Sequence, residues 1–250
     1  MSLSRVAWAL ALFAVCLFFS ASARAADAGA PAPRMHLRDM PCPGCLASFP
    51  PGTDPVPLIV ALHGDDQSAA PVHTAWEKHA ATRGVAVLAL ACPVRLGCSG
   101  SFWRWNGATT WIDEQIAKLG ERRPIDRERL WLAGWSGGAS YAGYRTQDLE
   151  RTFAAIVIHG GGMPPDTTAC AATKASVYFL VGDKNPLHAL SVRLRKYYEQ
   201  CGNAVTWDLV QGAAHPAEFA ALATHGGALL DWLATKRRVA TAATTDAGAP

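Results

Sequence analysis

The stretch LWLAGWSGGASYAGY, Leu130 to Tyr144, limits what this chain can fold into more than any other. Leu130-Trp131-Leu132-Ala133 is a short apolar run that predicts a buried strand, and Ala139 to Gly143 predicts a helix with small residues on one side. Between them lies Gly134-Trp135-Ser136-Gly137-Gly138, a G-x-S-x-G turn. A strand that passes into a helix this abruptly strains the serine backbone, so the flanks must lack bulky Cβ groups. Gly134 and Gly138 supply that space and Gly137 adds to it. The turn lifts the Ser136 hydroxyl above the sheet, at a helix N-terminus whose free N–H groups can face an anion. The same spelling in a glycine-rich loop would only turn the chain; the flanking strand and helix patterns argue for the elbow.

The rest of the chain alternates. Strands are predicted at His36–Arg38, Leu46–Phe49, Pro57–Leu62, Val85–Ala91, Phe153–Ile158, Ser176–Val181 and Ala204–Val210. Thr74 followed by Glu77 matches a capping box and predicts a helix from Ala75 to about Thr82. Further helices are predicted from Thr110 to about Glu121, from Leu187 to Gln200 and from Ala217 to Lys236, with Gly226-Gly227 as a candidate break in the last. Strands alternating with helices predict an α/β domain: a mostly parallel, doubly wound sheet with helices on both faces. Half of the 250 residues are hydrophobic, enough for one such core over residues 26–238.

The N-terminus predicts export. Arg5 precedes an apolar run from Val6 to Phe19, and Ala23-Arg24-Ala25 is a small-x-small cleavage signal. The apolar run is short for a membrane span, so no stable membrane insertion is expected once residues 1–25 are removed. The mature protein would be secreted or periplasmic. Removal of Arg5 and Arg24 lowers the formal charge from +3 to about +1. Basic residues are scattered, with one cluster at Lys236-Arg237-Arg238, and nothing points to a nucleic-acid partner. Residues 239–250 are small and polar and predict a disordered tail.

Cys16 leaves with the targeting segment, and six cysteines remain. An even count in an exported chain predicts disulfides, and six cysteines allow 15 pairings. Local pairing would give Cys42–Cys45, Cys92–Cys98 and Cys170–Cys201. Cys42-Pro43-Gly44-Cys45 also has the spelling of a redox pair, but no helix follows it, so a hairpin staple is the better reading. No second C-x-x-C completes a zinc site, and no metal is expected.

In a sheet of this kind, ligands bind at the carboxyl ends of the strands. Ser136, Asp183 and His215 lie at three such ends, in the order nucleophile, acid, base. A serine needs a base within hydrogen-bond reach, an imidazole titrates in the right range, and a carboxylate behind the ring fixes its tautomer. His63, His79, His159 and His225 are rival bases, and Asp66, Asp166 and Asp208 rival acids. His63 precedes a loop better suited to being held than to catalysing. The N–H groups of Asp65 and Gly137 are the candidate oxyanion donors; the Asp65 side chain should point elsewhere, because an anion would oppose an oxyanion. Trp103, Trp105 and Trp135 are candidate substrate-binding residues: the loop that carries Phe102, Trp103 and Trp105 is either a wall over the site or a hydrophobic plug, and Trp135 in the elbow either packs against Trp131 or lines the pocket.

PLIVALHG, IDRERLWLAGWSGGASYAGY, VGDKN and a late loop histidine together resemble the exported esterases grouped with polyhydroxybutyrate depolymerases, feruloyl esterases and acetylxylan esterases. The resemblance spans roughly Phe49 to Leu233. It implies an α/β-hydrolase fold without a cofactor, with Ser136 as nucleophile, Asp183 as acid and His215 as base. The chain departs from the pattern at Gly212-Ala213-Ala214-His215-Pro216 and at Lys184-Asn185-Pro186. It carries no separate polymer-binding domain, which favours a small or oligomeric ester as substrate. A peptidase of the same fold, a catalytically silent binding protein and a thiol oxidoreductase using Cys42 and Cys45 are the alternatives.

Overall fold

The computed structural model describes residues 34–93, 97–98, 103 and 108–238. The predicted targeting segment, Phe102, Trp105 and the predicted tail lie outside these residues. Fourteen elements follow in order: β1 (Met35–Arg38), β2 (Leu46–Phe49), β3 (Val56–Leu62), α1 (Ala69–Ala80), β4 (Ala86–Leu90), α2 (Thr110–Gly120), β5 (Ile125–Trp135), α3 (Gly137–Tyr144), α4 (Thr146–Leu149), β6 (Ala155–His159), β7 (Ser176–Gly182), α5 (His188–Gln200), β8 (Val205–Val210) and α6 (His215–Ala234).

The strands form one sheet in the order β1-β2-β4-β3-β5-β6-β7-β8. β1 and β2 are antiparallel to their neighbours, and the remaining pairs are parallel. Every residue of β3, β4 and β6 is buried, as strands covered on both faces must be. Alternation then divides their side chains between two cores. Leu58, Val60, Leu62, Leu130, Leu132, Ile156 and Ile158 pack with residues of α2, α3 and α5. Ile59, Ala61, Val87, Trp131, Ala133 and Val157 pack on the other face with residues of α1 and α6. Each fully buried side chain of this size contributes about 1.5–3 kcal/mol relative to exposure. The expected mostly parallel, doubly wound sheet is therefore present, with helices on both faces.

Three local expectations change. α1 begins after Ser68, six residues before Thr74, so the Thr74–Glu77 pair lies inside the helix. Glu77 is used instead as an ion-pair partner of Arg34 at 3.5 Å and a hydrogen-bond partner of His36 at 2.5 Å. α6 runs unbroken through Gly226-Gly227. A Cβ on Gly226 would lie 2.4 Å from the His79 ring, so the small residues there let α1 and α6 approach. α6 also starts earlier than expected, at His215, which places that histidine in the first turn of a helix rather than in a loop.

The cysteines pair as Cys42–Cys45, Cys92–Cys98 and Cys170–Cys201. Three bridges in one chain fit an oxidising compartment. Among the described residues, no helix is long and apolar enough to cross a membrane.

Candidate active site

β5 ends at Trp135 and α3 begins at Gly137, so Ser136 alone makes the turn. Its φ is +52°, a left-handed conformation that a serine adopts only when its surroundings impose it. The neighbours show how. A Cβ on Gly134 would lie 2.5 Å from the Gly138 carbonyl oxygen, and one on Gly138 would lie 2.7 Å from the His63 carbonyl oxygen. The Ser136 N–H donates to the His159 carbonyl at 2.9 Å, pinning the turn to the end of β6.

The Ser136 hydroxyl faces His215. Its Oγ lies 2.8 Å from Nε2, within reach for proton transfer. The imidazole is one-third exposed, and its face stacks on Trp135 with ring centroids 4.6 Å apart and planes 9° apart. Behind the ring, His215 Nδ1 lies 3.1 Å from Oε2 of Glu218, a fully buried carboxylate. Glu218 stands three residues after His215, one turn along α6, where side chains share a face.

The carboxylate behind the imidazole is thus Glu218 and not Asp183. The Asp183 carboxylate accepts the Gly212 N–H at 2.6 Å in the exposed turn beyond β7. The turn after β7 contributes Asn185 instead. Asn185 Nδ2 donates to Oε2 of Glu218 at 2.5 Å and to the Gly160 carbonyl at 3.1 Å. Its Oδ1 accepts the Leu187 N–H at 2.8 Å, which fixes the orientation of the amide. The Gly182 N–H donates to Oε1 of Glu218. With Asn185 as a donor, the short contact between its Nδ2 and His215 Nδ1, 3.1 Å, is not a hydrogen bond; the Nδ1–H donates to Glu218 Oε2. That leaves Nε2 unprotonated and facing Ser136.

The rival histidines, Asp166 and Asp208 are otherwise placed. His63 is buried, its Nδ1–H donating to the Gly64 carbonyl at 2.7 Å and its Nε2 accepting the Cys92 N–H at 3.2 Å. Burial holds its pKa below the usual value, keeping it neutral in this bracing role. His159 donates from Nε2 to the Glu218 carbonyl at 2.7 Å; burial lowers its pKa to about 4. His225 and Asp208 pair with each other at 2.8 Å, Asp166 accepts from the Tyr144 hydroxyl at 2.7 Å, and the His79 ring lies against Gly226.

The loop after β3 runs beside the serine. A Cβ on Gly64 would lie 3.1 Å from Ser136 Cβ, and the His63 carbonyl accepts the Gly138 N–H at 3.1 Å and Trp103 Nε1–H at 3.0 Å. Asp65 and Gly137, the candidate oxyanion donors, flank Ser136 from this loop and from the first residue of α3. The Asp65 side chain does not point away as expected: a Cβ on Gly137 would lie 2.1 Å from Asp65 Oδ1. Of the tryptophans, Trp103 is buried between His63 and Tyr141, with 6% of its surface exposed, and Trp135 is 4% exposed beneath His215. Both therefore support the site from within rather than form an open wall over it. Trp105 lies outside the described residues.

No family model matches this chain, and no curated protein does. Solved structures do. An S-formylglutathione hydrolase from Staphylococcus aureus matches with a TM-score of 0.61 and 11% identity, over 80% of this chain and 98% of its own. A Bacillus cereus carboxylesterase matches with a TM-score of 0.57 and 18% identity, over 81% and 95%. A fluorophosphonate-binding serine hydrolase of S. aureus matches with a TM-score of 0.55 and 12% identity, over 80% and 96%. The chain has the α/β-hydrolase fold. At these identities the likeness speaks for the fold, and the chemistry must be read from the side chains themselves.

From the sequence Asn185 stands out only as part of the departure at Lys184-Asn185-Pro186, and Glu218 does not stand out at all. The signal for Glu218 was its spacing from His215, which gains meaning only once α6 is known to begin at His215.

Proposed function

We propose that this protein is a serine hydrolase that cleaves carboxylic esters, with Ser136 as nucleophile, His215 as base and Glu218 as the acid behind it. The observation that carries the reading is the aligned relay: a serine at φ +52°, 2.8 Å from an imidazole that is itself backed by a buried carboxylate. Buried carboxylates are costly unless they serve or are paired, and this one is met by donors from Gly182, Asn185 and His215.

The chemistry follows from the contacts. Ser136 Oγ attacks the ester carbonyl carbon as its proton passes to His215 Nε2. The resulting imidazolium is stabilised by Glu218, and the carbonyl oxygen, now negative, faces the N–H groups of Gly137 and Asp65. Collapse breaks the bond to the alcohol, which takes the proton from Nε2 and leaves. Water then gives its proton to Nε2, attacks the acyl-enzyme and releases the acid, restoring Ser136. Asp183, exposed and bonded to Gly212, has no part in this scheme.

The resemblance to exported esterases favours a short-chain, feruloyl, acetyl or hydroxyalkanoate ester, acted on outside the cytoplasm after signal cleavage; the three disulfides fit that compartment. A fluorophosphonate probe should label Ser136, and Ser136→Ala should lose both labelling and hydrolysis of p-nitrophenyl acetate. Ester hydrolysis at the wild-type rate in that variant would refute the proposal.

A further inference from the structure

We infer that Asp65 directs this site toward esters whose acyl group carries a protonated amine on the carbon next to the carbonyl, the chemistry of aminoacyl esters. The inference rests on the serine hydrolase reading. It starts from the contact between Asp65 and Gly137, the residue directly after the nucleophile. A Cβ on Gly137 would meet Asp65 Oδ1 at 2.1 Å and Oδ2 at 2.7 Å, so the whole carboxylate group lies over the glycine. Adding a carbon–carbon bond of about 1.5 Å places Oδ1 within about 3.6 Å of the Gly137 Cα. This also explains why a glycine stands at position 137: any side chain there would displace the carboxylate.

The placement is held rather than incidental. The Asp65 carboxylate accepts the backbone N–H of Trp103. Trp103 is buried and is itself tied by its indole N–H to the His63 carbonyl at 3.0 Å. Asp65 is exposed, so a substrate can reach it beside the residue that follows the nucleophile. Among the described residues it has no ion-pair partner, and the charge of Asp66 acting on it has the same sign. Burial and Asp66 push its carboxyl above the ordinary value, and the Trp103 N–H pulls it back.

A carboxylate beside the oxyanion donors, with no ion-pair partner among the described residues, is a liability for a neutral ester, because negative charge develops on the carbonyl oxygen as Ser136 attacks. For an acyl group with an α-ammonium the sign reverses. The ammonium stands two bonds from the carbonyl carbon, where it can meet Asp65 and offset its repulsion of the oxyanion. Unit charges about 5 Å apart, in a medium between bulk water and a protein surface, give a rate factor on the order of ten. The same carboxylate is a recognition device for a free amino group, the feature that a peptidase of this fold would also need.

The test compares benzyl esters of alanine, lactic acid and propanoic acid, near-isosteres that differ in the α-substituent, at a pH of about 6 where the α-amine is protonated. The wild type should hydrolyse the alanine ester with kcat/KM about tenfold above the propanoate ester. Asp65→Asn, which keeps an acceptor for the Trp103 N–H, should collapse that ratio toward one by slowing the alanine ester and speeding the propanoate ester. Asp65→Ser should do the same, and Asp66→Asn should keep the ratio. A wild-type ratio near one, or a ratio unchanged in both Asp65 variants, overturns the inference while leaving the esterase reading intact. Absence of turnover of all three esters, or turnover that survives Ser136→Ala, overturns that reading and the inference with it.

Discussion

Replacing Glu218 with glutamine separates the two carboxylates that could stand behind His215. In the native site three donors converge on the carboxylate: the Gly182 N–H on Oε1, and Asn185 Nδ2 and His215 Nδ1–H on Oε2. Glutamine fills the same space but turns one oxygen into a donor. If the amide nitrogen takes the Oε2 position, it opposes the Asn185 amide, and the imidazole relieves its own clash only by moving its proton to Nε2. That proton then faces Ser136, and the base is lost. If the amide nitrogen takes the Oε1 position, it opposes the Gly182 N–H. One buried donor is left unmet either way, at about 1–3 kcal/mol, which for a domain of this size lowers Tm by roughly 2–12 °C. The kinetic effect is larger. Loss of the charge that stabilises the imidazolium, with the wrong tautomer, should reduce kcat by about 10³–10⁴, while KM changes little. The assay is p-nitrophenyl butyrate hydrolysis at a temperature where calorimetry shows the variant folded. Asp183→Asn is the control. Its amide oxygen can still accept the Gly212 N–H, so kcat should stay within about threefold of wild type, the range of a surface change. The reasoning fails if Asp183→Asn is crippled, or if Glu218→Gln retains a tenth of the wild-type kcat.

Two other substitutions probe the surroundings of the base. Trp135 lies face to face with His215, and its Nε1 has no hydrogen-bond partner among the described residues, so Trp135→Phe should keep most of the activity while Trp135→Leu, which loses the π face, should lower kcat about fivefold. Equal activity in the two variants would remove the ring from the account. His159 is held neutral by burial, with its pKa lowered from 6.5 to about 4. The unfolded chain therefore takes up a proton as pH falls below about 6.5 while the folded chain does not until about 4. Stability from this residue is complete above pH 6.5 and is lost on the way down to 4, by about 3 kcal/mol in all. Urea unfolding across that range should give a shallower pH dependence for His159→Gln, which can still donate to the Glu218 carbonyl; identical slopes would contradict the assignment.

The sheet was legible because its signals are local and redundant. Runs such as Pro57–Leu62 and Phe153–Ile158 are buried on both faces and spell out apolar strands without help from neighbours. The elbow was legible for the same reason, since Gly134, Ser136 and Gly138 meet a steric demand made within the turn itself. The helix starts were less so. Thr74-Ala75-Trp76-Glu77 satisfies a capping pattern, yet Glu77 is engaged by Arg34 and His36, residues distant in sequence. The carboxylate behind His215 is hidden for a reason of the same kind. With α6 assumed to begin at Ala217, His215 lies in a loop and nothing connects it to Glu218; with α6 beginning at His215, the two fall on one face. No local pattern could show that the Asp183 carboxylate turns to Gly212, because that choice is made by the fold of the turn beyond β7.

What a hydrolase of this fold requires is a carboxylate at one point in space, and the chain can deliver it from more than one element. Here the turn after β7 delivers an amide, Asn185, and α6 delivers the charge. The exchange has a physical consequence. The proposed base and acid sit one turn apart on one helix, so their separation is set by the helix rather than by the docking of two loops. Glu218 lies in the first turn, where the positive end of the helix favours an anion. His215, at the first position, meets that same positive end when it becomes an imidazolium. Glu218 is therefore asked to offset both the imidazolium and the helix end behind it, and the donors from Asn185 and Gly182 keep its charge fixed at the place where both can feel it.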